Sequence, residues 1–251
     1  MGVMLAVSNG GSFAWGAFAA SSLLLGALIA LWFRISLRSV GLIMGFGSGV
    51  LISAVAFDLV QEAFDLAGGG GRVVFGLISG CLVFFVGDEL IGRFGGADRK
   101  DPTGEQASGN ALGIVLGSVL DGVPESMVIG LTLAQGGSIG VAYVTAVFLS
   151  NLPEGISATR GLIDSGWHRS RILGRWAGVA AVCALASLAG YALLQGASHD
   201  TVAFVQTFAG GAILTMLATT MMPEAFEHGG TRVGIATTLG FATAYAVHVF
   251  G

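Results

Sequence analysis

The sequence predicts an all-α membrane protein with eight transmembrane helices. Hydrophobic residues make up 54% of the 251 residues and charged residues only 10%, whereas a soluble domain carries roughly 25% charged residues. Eight apolar runs are long enough for a helix to cross the ~30 Å hydrocarbon layer, which takes about 20 residues. Many of the 42 glycines fall inside these runs, as is common where membrane helices pack closely. The composition therefore favours lipid as the surrounding solvent.

The predicted spans form a single transmembrane domain with short loops. The longest loop, residues 94–109, carries several charges and is predicted to be cytoplasmic. The spans are 11–33, 40–64, 72–93, 110–134, 138–161, 174–196, 202–226 and 231–250.

The positive charges indicate how these spans are oriented. With eight crossings, ten of the eleven Lys and Arg residues fall on one side of the membrane and only Arg72 falls on the other. Loops rich in Lys and Arg are retained in the cytoplasm. Both termini are therefore predicted to lie outside the cytoplasm, and a wrong number of spans would have scrambled this segregation.

Two matched proline-glutamate motifs interrupt neighbouring spans. Residues 120–126 of the fourth span read LDGVPES, and residues 149–155 of the fifth span read LSNLPEG. Acidic groups inside a membrane cost ~2.5–3.5 kcal/mol each on insertion scales, so they are found where they face a bundle interior or a water-filled cavity. Each proline removes one helical hydrogen bond and frees a carbonyl oxygen. Because consecutive spans run in opposite directions, the motifs form an inverted pair.

These motifs predict a cation site. Residues three or four positions apart share a helix face, so each motif places side-chain oxygens beside a freed carbonyl. Transporters build cation sites from such broken helices, and oxygen ligands suit divalent metals. A simple kink with a glutamate reaching a polar loop is the alternative, but two matched motifs favour the site. The predicted ligands are Asp121, Glu125, Ser150, Asn151 and Glu154.

A second repeat relates the second and seventh spans and supports inverted-topology pseudo-symmetry. The pattern Phe-x2-Gly-x12-Glu begins at Phe46 and again at Phe208. Both copies end in carboxylates close to a span end. Asp58, Glu62 and Glu224 are therefore candidate residues of the ion pathway. The alternative is that they are solvated at the membrane interface.

Other notable side chains within the spans are interpreted as structural. Cys81 and Cys183 lie in apolar runs and are expected to be small buried hydrophobic residues. His248, alone in the last span, is expected to be structural or solvated. Glycine pairs such as Gly76 and Gly80 indicate close helix packing, and they permit a homodimer without requiring one.

The span pattern, the two proline-glutamate motifs and the run DLVQEA that begins at Asp58 resemble the ZIP family of divalent-metal transporters over essentially the whole chain. The resemblance implies an elevator-like carrier that works without nucleotide and binds metal at the two motifs. The chain departs from the family at four positions. Asp58 and Asp121 stand where histidine is usual, and Gly122 stands where asparagine or aspartate is frequent. Ser150 stands where histidine or glutamine is common. Ser187 aligns with a metal-bridging glutamate of the sixth span.

The resulting hypothesis is movement of a divalent metal, such as zinc, manganese or iron, into the cytoplasm. The lost imidazoles shift the expected preference toward manganese or iron(II). The bilayer and divalent ions are the expected partners, and no basic tract indicates nucleic acid. The compact chain resembles transporters of bacterial inner membranes. Transport of another solute, a non-transporting metal sensor and an intramembrane hydrolase are the alternatives, but no nucleophile-base arrangement favours an enzyme.

Overall fold

The computed structural model describes residues 9–93, 111–135 and 141–250, and these residues form helices without any strand. The predicted cytoplasmic loop, 94–109, lies outside them. The helices are α1 (Asn9–Trp32), α2 (Leu37–Ala67), α3 (Gly70–Ile91), α4 (Ala111–Ala134), α5 (Val141–Asp164), α6 (Arg169–Leu194), α7 (His199–Met216, Leu217–Met221 and Met222–Gly229) and α8 (Val233–Phe250).

Six helical stretches of the described residues are long and apolar enough to cross a membrane. Helix α5, which carries one polar motif, is not among them, and α7 and α8 count as one stretch, His199–Phe250. Within that stretch the chain turns at Gly230, whose φ of 63° lies in the left-handed region that favours glycine. The described chain is thus a multi-pass helical membrane protein. The eight crossings and the outside placement of both termini stay predictions.

Helices α2 and α7 have the same internal design. Each begins with a serine cap: Ser36 accepts from the Ser39 amide at 3.1 Å, and Ser198 accepts from the Thr201 amide at 3.3 Å. Such caps satisfy amides that the first helical turn leaves unpaired. Each helix then changes to a π-helix, at Val55–Gln61 in α2 and at Leu217–Met221 in α7. The caps and the π-segment starts are separated by the same number of residues, as an internal repeat requires.

The helices pack in two groups. Helices α1, α4, α5 and α6 form one group, in which α1 packs along α5 and α6, and α4 packs along α6. Helices α2, α3, α7 and α8 form the other, in which α2 packs along α8 and α3 packs along α7. The main contact between the groups joins α2 to α5, with smaller contacts from α4 to α3 and α7. This division places both proline-glutamate motifs in one group.

Glycine pairs set the closest helix crossings. Where α2 crosses α8, a Cβ on Gly49 would overlap the carbonyl of Thr237, and a Cβ on Gly240 would overlap the carbonyl of Phe46. Each glycine thus faces the residue three positions before its partner glycine. The crossings α3–α7, α1–α5 and α4–α6 repeat this geometry with the pairs Gly80/Gly211, Gly26/Gly155 and Gly130/Gly190.

If α1, α2 and α3 are exchanged with α6, α7 and α8, and α4 is exchanged with α5, each of these crossings becomes another crossing of the same geometry. An inverted repeat has this property. The shared geometry also accounts for part of the high glycine content, because only glycine lets two helix backbones approach so closely. The glycines used in these crossings pack inside one chain. They therefore give no support for the homodimer, which stays a prediction.

Candidate metal centre

All five predicted ligands are buried. Asp121, Glu125 and Ser150 are each 2% exposed, Asn151 is 5% exposed and Glu154 is 6% exposed. The first two lie on α4 and the other three on α5. They face the interior of the helix bundle. A carboxylate that faced lipid would have a higher free-energy cost.

The α5 motif is held against the neighbouring helices by glycines. A Cβ on Gly47 of α2 would lie 2.8 Å from Cγ of Pro153 and 3.4 Å from Cα of Ser150. On the other side of α5, and within its own helix group, a Cβ on Gly26 of α1 would overlap the carbonyl of Leu152. Because no side chain separates these backbones, the kinked part of α5 has a narrowly defined position between α1 and α2.

Cys183 of α6 packs against the α4 motif. Its thiol is hydrogen bonded with the Ser126 hydroxyl. A Cβ on Gly122 would lie 2.7 Å from Sγ of Cys183. The sulfur therefore fills the space beside Gly122, where the ZIP-family resemblance leads one to expect an amide or carboxylate side chain.

The two cysteines thus differ from what their apolar surroundings predict. Cys183 is buried, as expected, but its sulfur meets the α4 motif at Gly122 and Ser126 rather than a purely apolar core. Cys81 is exposed on the surface of α3, so the expectation that it would be buried was wrong. No local pattern marks Cys183, because its polar neighbours come from other helices.

Ser187, the residue aligned with the family's bridging glutamate, has other contacts. Its hydroxyl donates to the carbonyl of Ser12 at 2.9 Å, and the Ser12 hydroxyl donates to the Ser187 carbonyl at 2.8 Å. Cys183 lies four positions earlier, one turn away on the same face of α6. The α6 side chain that the structure places against the α4 motif is therefore Cys183.

The acidic groups do not form a compact metal cage by themselves. Within residues 9–93, 111–135 and 141–250, no three His, Cys, Asp or Glu side chains converge closely enough to hold a metal ion. A divalent cation bound here would need the oxygens of Ser150 and Asn151, a freed carbonyl, or a small movement of α4 relative to α5. The assignment of the five ligands thus stays a prediction that burial and shared neighbours support.

Asp58 and Glu62 lie at the end of α2 in a cavity that we call the outer groove, because the orientation predicted from the sequence places it outside the cytoplasm. This groove has a volume of about 430 Å³ and is lined by Phe57, Asp58, Gln61, Glu62, Asp65, Leu66 and His248. Nδ1 of His248 lies 2.5 Å from Oδ1 of Asp58. The side chain of Glu62 lies near the buried Gln206 of α7. Polar groups from three helices therefore meet in and beside the groove.

The contact between His248 and Asp58 could not be expected from spacing, because 190 positions separate the two residues. Glu224 lies in the last segment of α7, where its Oε2 is 3.5 Å from Nε2 of His228. The repeat makes it the counterpart of Glu62, so the candidate pathway residues lie in equivalent segments of α2 and α7.

The fold and the site together define a polytopic helical membrane protein with a buried acidic centre. No family model matches the chain. The chain is 25% identical over 226 residues to a protein of Arabidopsis thaliana named "Putative zinc transporter". This alignment covers 89% of the chain but only 36% of the plant protein, so the chain spans about a third of the length of that relative. The similarity agrees with the resemblance to the ZIP family.

Proposed function

We propose that the chain is a carrier that moves a divalent transition metal across the membrane. The single observation that carries the proposal is the burial of Glu125 and Glu154, which come from two matched motifs on separate helices. Two buried carboxylates are costly unless a positive charge compensates them. A divalent cation supplies that compensation. The plant relative's name makes zinc the first metal to test.

The proposed donor set consists of oxygen atoms, and the thiol of Cys183 would join it only after a small movement of the helices, because no three His, Cys, Asp or Glu side chains of the described residues converge on one point. Glu125 and Glu154 are the central charged ligands, and Asp121, Ser150 and Asn151 complete the shell of the cargo ion. Loss of imidazole alone would favour harder ions, but a nearby thiol favours softer ones such as zinc. The two effects therefore predict different substrates. Preferred transport of zinc would show that the thiol dominates, and preferred transport of manganese or iron would show that the loss of imidazole dominates.

The two helix groups suggest how the cargo crosses. The centre belongs to the group of α1, α4, α5 and α6, whose internal glycine crossings join its members closely. The contact with the other group is concentrated between α2 and α5. In the proposed elevator-like cycle, the first group slides along α2 and carries the metal toward the cytoplasm. We further propose that the chain crosses the membrane eight times, that both termini lie outside the cytoplasm, and that the membrane is a bacterial inner membrane.

Uptake of zinc, manganese and iron(II) into proteoliposomes tests this function. The native protein is compared with Glu125→Gln and Glu154→Gln, which keep side-chain size and remove charge. Glu89→Gln, at an exposed position of α3, is the matched control. We expect both centre variants to lose at least 90% of uptake, about a tenfold effect or 1.4 kcal/mol, while the control transports normally.

Two outcomes overturn the proposal. One is the absence of flux for every metal in the folded native protein, which would favour transport of another solute or a sensor that binds metal without moving it. The other is undiminished uptake by both centre variants, which would place the cargo elsewhere in the chain.

A further inference from the structure

Two arginines near the start of α6 share one indole ring. Cζ of Arg175 lies 3.9 Å from the centroid of the Trp167 ring, and Cζ of Arg171 lies 5.2 Å from the same centroid. Both distances are within the range of a cation–π contact. We call these three side chains the arginine–tryptophan cluster.

The positive charge of the cluster is not compensated by the protein around it. Residues 160–175 contain four arginines and a single acid, Asp164. This carboxylate is already engaged, because Nε of Arg160 donates to its Oδ2 at 3.0 Å. Neither Arg171 nor Arg175 forms an ion pair with a carboxylate of the described residues. Like charges four positions apart on a helix destabilise it, so an anion bound between them would lower the free energy.

Arg175 is partly removed from water without gaining an acceptor. Its Nη1 is covered by protein atoms and has no hydrogen-bond partner in the part of the chain that the structure describes. The residue as a whole is half-buried, so the remainder of its side chain reaches the surface. Because charges interact more strongly away from bulk water, a guanidinium held here attracts an anion more strongly than a fully solvated one would.

The cluster lies at the end of a membrane helix, where lipid headgroups are found. Helix α6 begins two residues after Trp167, and its stretch Arg169–Leu194 is long and apolar enough to cross a membrane. The ring of Trp167 also packs against the apolar core that Leu162 and Ile172 help to form. Tryptophan is enriched at this depth, where its ring meets both the apolar interior and the headgroups.

The chemistry of the cluster fits a phosphate group. Each guanidinium is a planar fork that can donate two parallel hydrogen bonds to phosphate oxygens, and basic clusters beside membrane helices bind anionic headgroups. A zwitterionic headgroup fits less well, because its own ammonium group offsets the charge of its phosphate.

We infer that the arginine–tryptophan cluster binds the phosphate of an anionic phospholipid. The two guanidiniums hold the phosphate, and the indole holds the guanidiniums in position. The orientation predicted from the sequence places this lipid in the cytoplasmic leaflet. The inference does not depend on metal transport, and it is measured without any metal.

Binding of phosphatidylglycerol to the purified protein in a neutral detergent tests the inference. Native mass spectrometry counts the bound lipids during titrations with phosphatidylglycerol and, separately, with phosphatidylcholine. The native protein is compared with Arg171→Gln/Arg175→Gln. The matched control is Arg34→Gln/Arg38→Gln, which removes the same charge from two exposed arginines that are also four positions apart.

We expect the native protein to bind phosphatidylglycerol about tenfold more tightly than phosphatidylcholine, through charge-assisted contacts. The cluster variant should lose this preference, and the control should keep it. Trp167→Leu should weaken binding of phosphatidylglycerol several-fold, because its guanidiniums are no longer held by the ring. The inference is overturned if the cluster variant binds like the native protein. An equal loss in both arginine pairs also overturns it, because general surface charge would then account for the binding.

Two further arms separate the fork from charge alone and the lipid from a free anion. Arg171→Lys/Arg175→Lys keeps the charge and provides a folded comparison if the glutamine variant fails gel filtration. It should bind phosphatidylglycerol several-fold more weakly than the native protein, and native affinity would contradict the proposed contacts. Inorganic phosphate at millimolar concentration should not displace the lipid. Displacement that depends on Arg171 and Arg175 would identify a soluble phosphate as the ligand and overturn the assignment to lipid.

Discussion

The contact between Gly122 and Cys183 allows a quantitative test of how α4 is packed at the centre. A Cβ at position 122 would lie 2.7 Å from the sulfur, and no other neighbouring heavy atom of the described chain comes within 4 Å. Gly122→Ala gains about 1 kcal/mol of helix propensity, but overpacking costs about 1–3 kcal/mol. We therefore expect a net loss of up to about 2 kcal/mol in the free energy of unfolding.

Removing the sulfur should reverse this result. In a Cys183→Ala background, Gly122→Ala no longer meets the sulfur and should be neutral or stabilising by up to about 1 kcal/mol. The coupling between the two positions is then about 1–3 kcal/mol in a double-mutant cycle. The cycle is measured by denaturant unfolding of the purified protein in detergent micelles.

Gly130→Ala is the matched control for this cycle. Its added Cβ would overlap main-chain atoms of Ser187, which Cys183→Ala leaves in place. Gly130→Ala should therefore destabilise the protein equally in both backgrounds. Equal destabilisation by Gly122→Ala with and without the sulfur would show that the sulfur does not limit the space beside Gly122.

Three further results are expected. The Trp176 indole donates to the Thr159 hydroxyl at 2.8 Å within the core, so Thr159→Val should lower the free energy of unfolding by about 1–3 kcal/mol; an unchanged unfolding midpoint would contradict this. Gly80→Ala places a Cβ against a carbonyl of α7 and should lower the free energy of unfolding by about 1–3 kcal/mol. Gly71→Ala, whose Cβ would meet nothing within 4 Å, should leave the free energy of unfolding unchanged. Equal unfolding midpoints for the two variants would be the contrary result. Asp58→Asn removes charge from the outer groove and should raise the KM for zinc uptake several-fold with little effect on the maximal rate, and the opposite pattern would argue against a role in entry.

Much of the fold could be predicted from the sequence, because membrane helices depend on long apolar runs that are visible locally. The repeat between α2 and α7 was also visible as a spacing of Phe, Gly and Glu. The structure adds equivalent serine caps and π-segments to it. The eight crossings and their orientation depend on a bilayer, which the helices alone do not define.

The site could be predicted only where its residues are close in the chain. Each motif keeps its polar residues on one helix face, and their burial agrees with an interior position. Cys183 joins the α4 motif and His248 joins Asp58 from other helices, where no spacing in the sequence connects them. Ser187 and Cys183 occupy the same face of α6, one turn apart. A periodic pattern identifies that face but not the depth along the helix, so the sequence does not tell which of the two residues lies at the centre.

We propose that a divalent metal is held between the motifs of α4 and α5. Anomalous scattering from crystals of the zinc-loaded protein tests it most directly, because the signal locates the metal without reference to transport. We expect a peak within coordination distance of the carboxylates of Glu125 and Glu154, and we expect this peak to be lost in the double variant Glu125→Gln/Glu154→Gln. A zinc peak confined to Asp58 and His248 in the outer groove, or no bound zinc in the native protein, would contradict it.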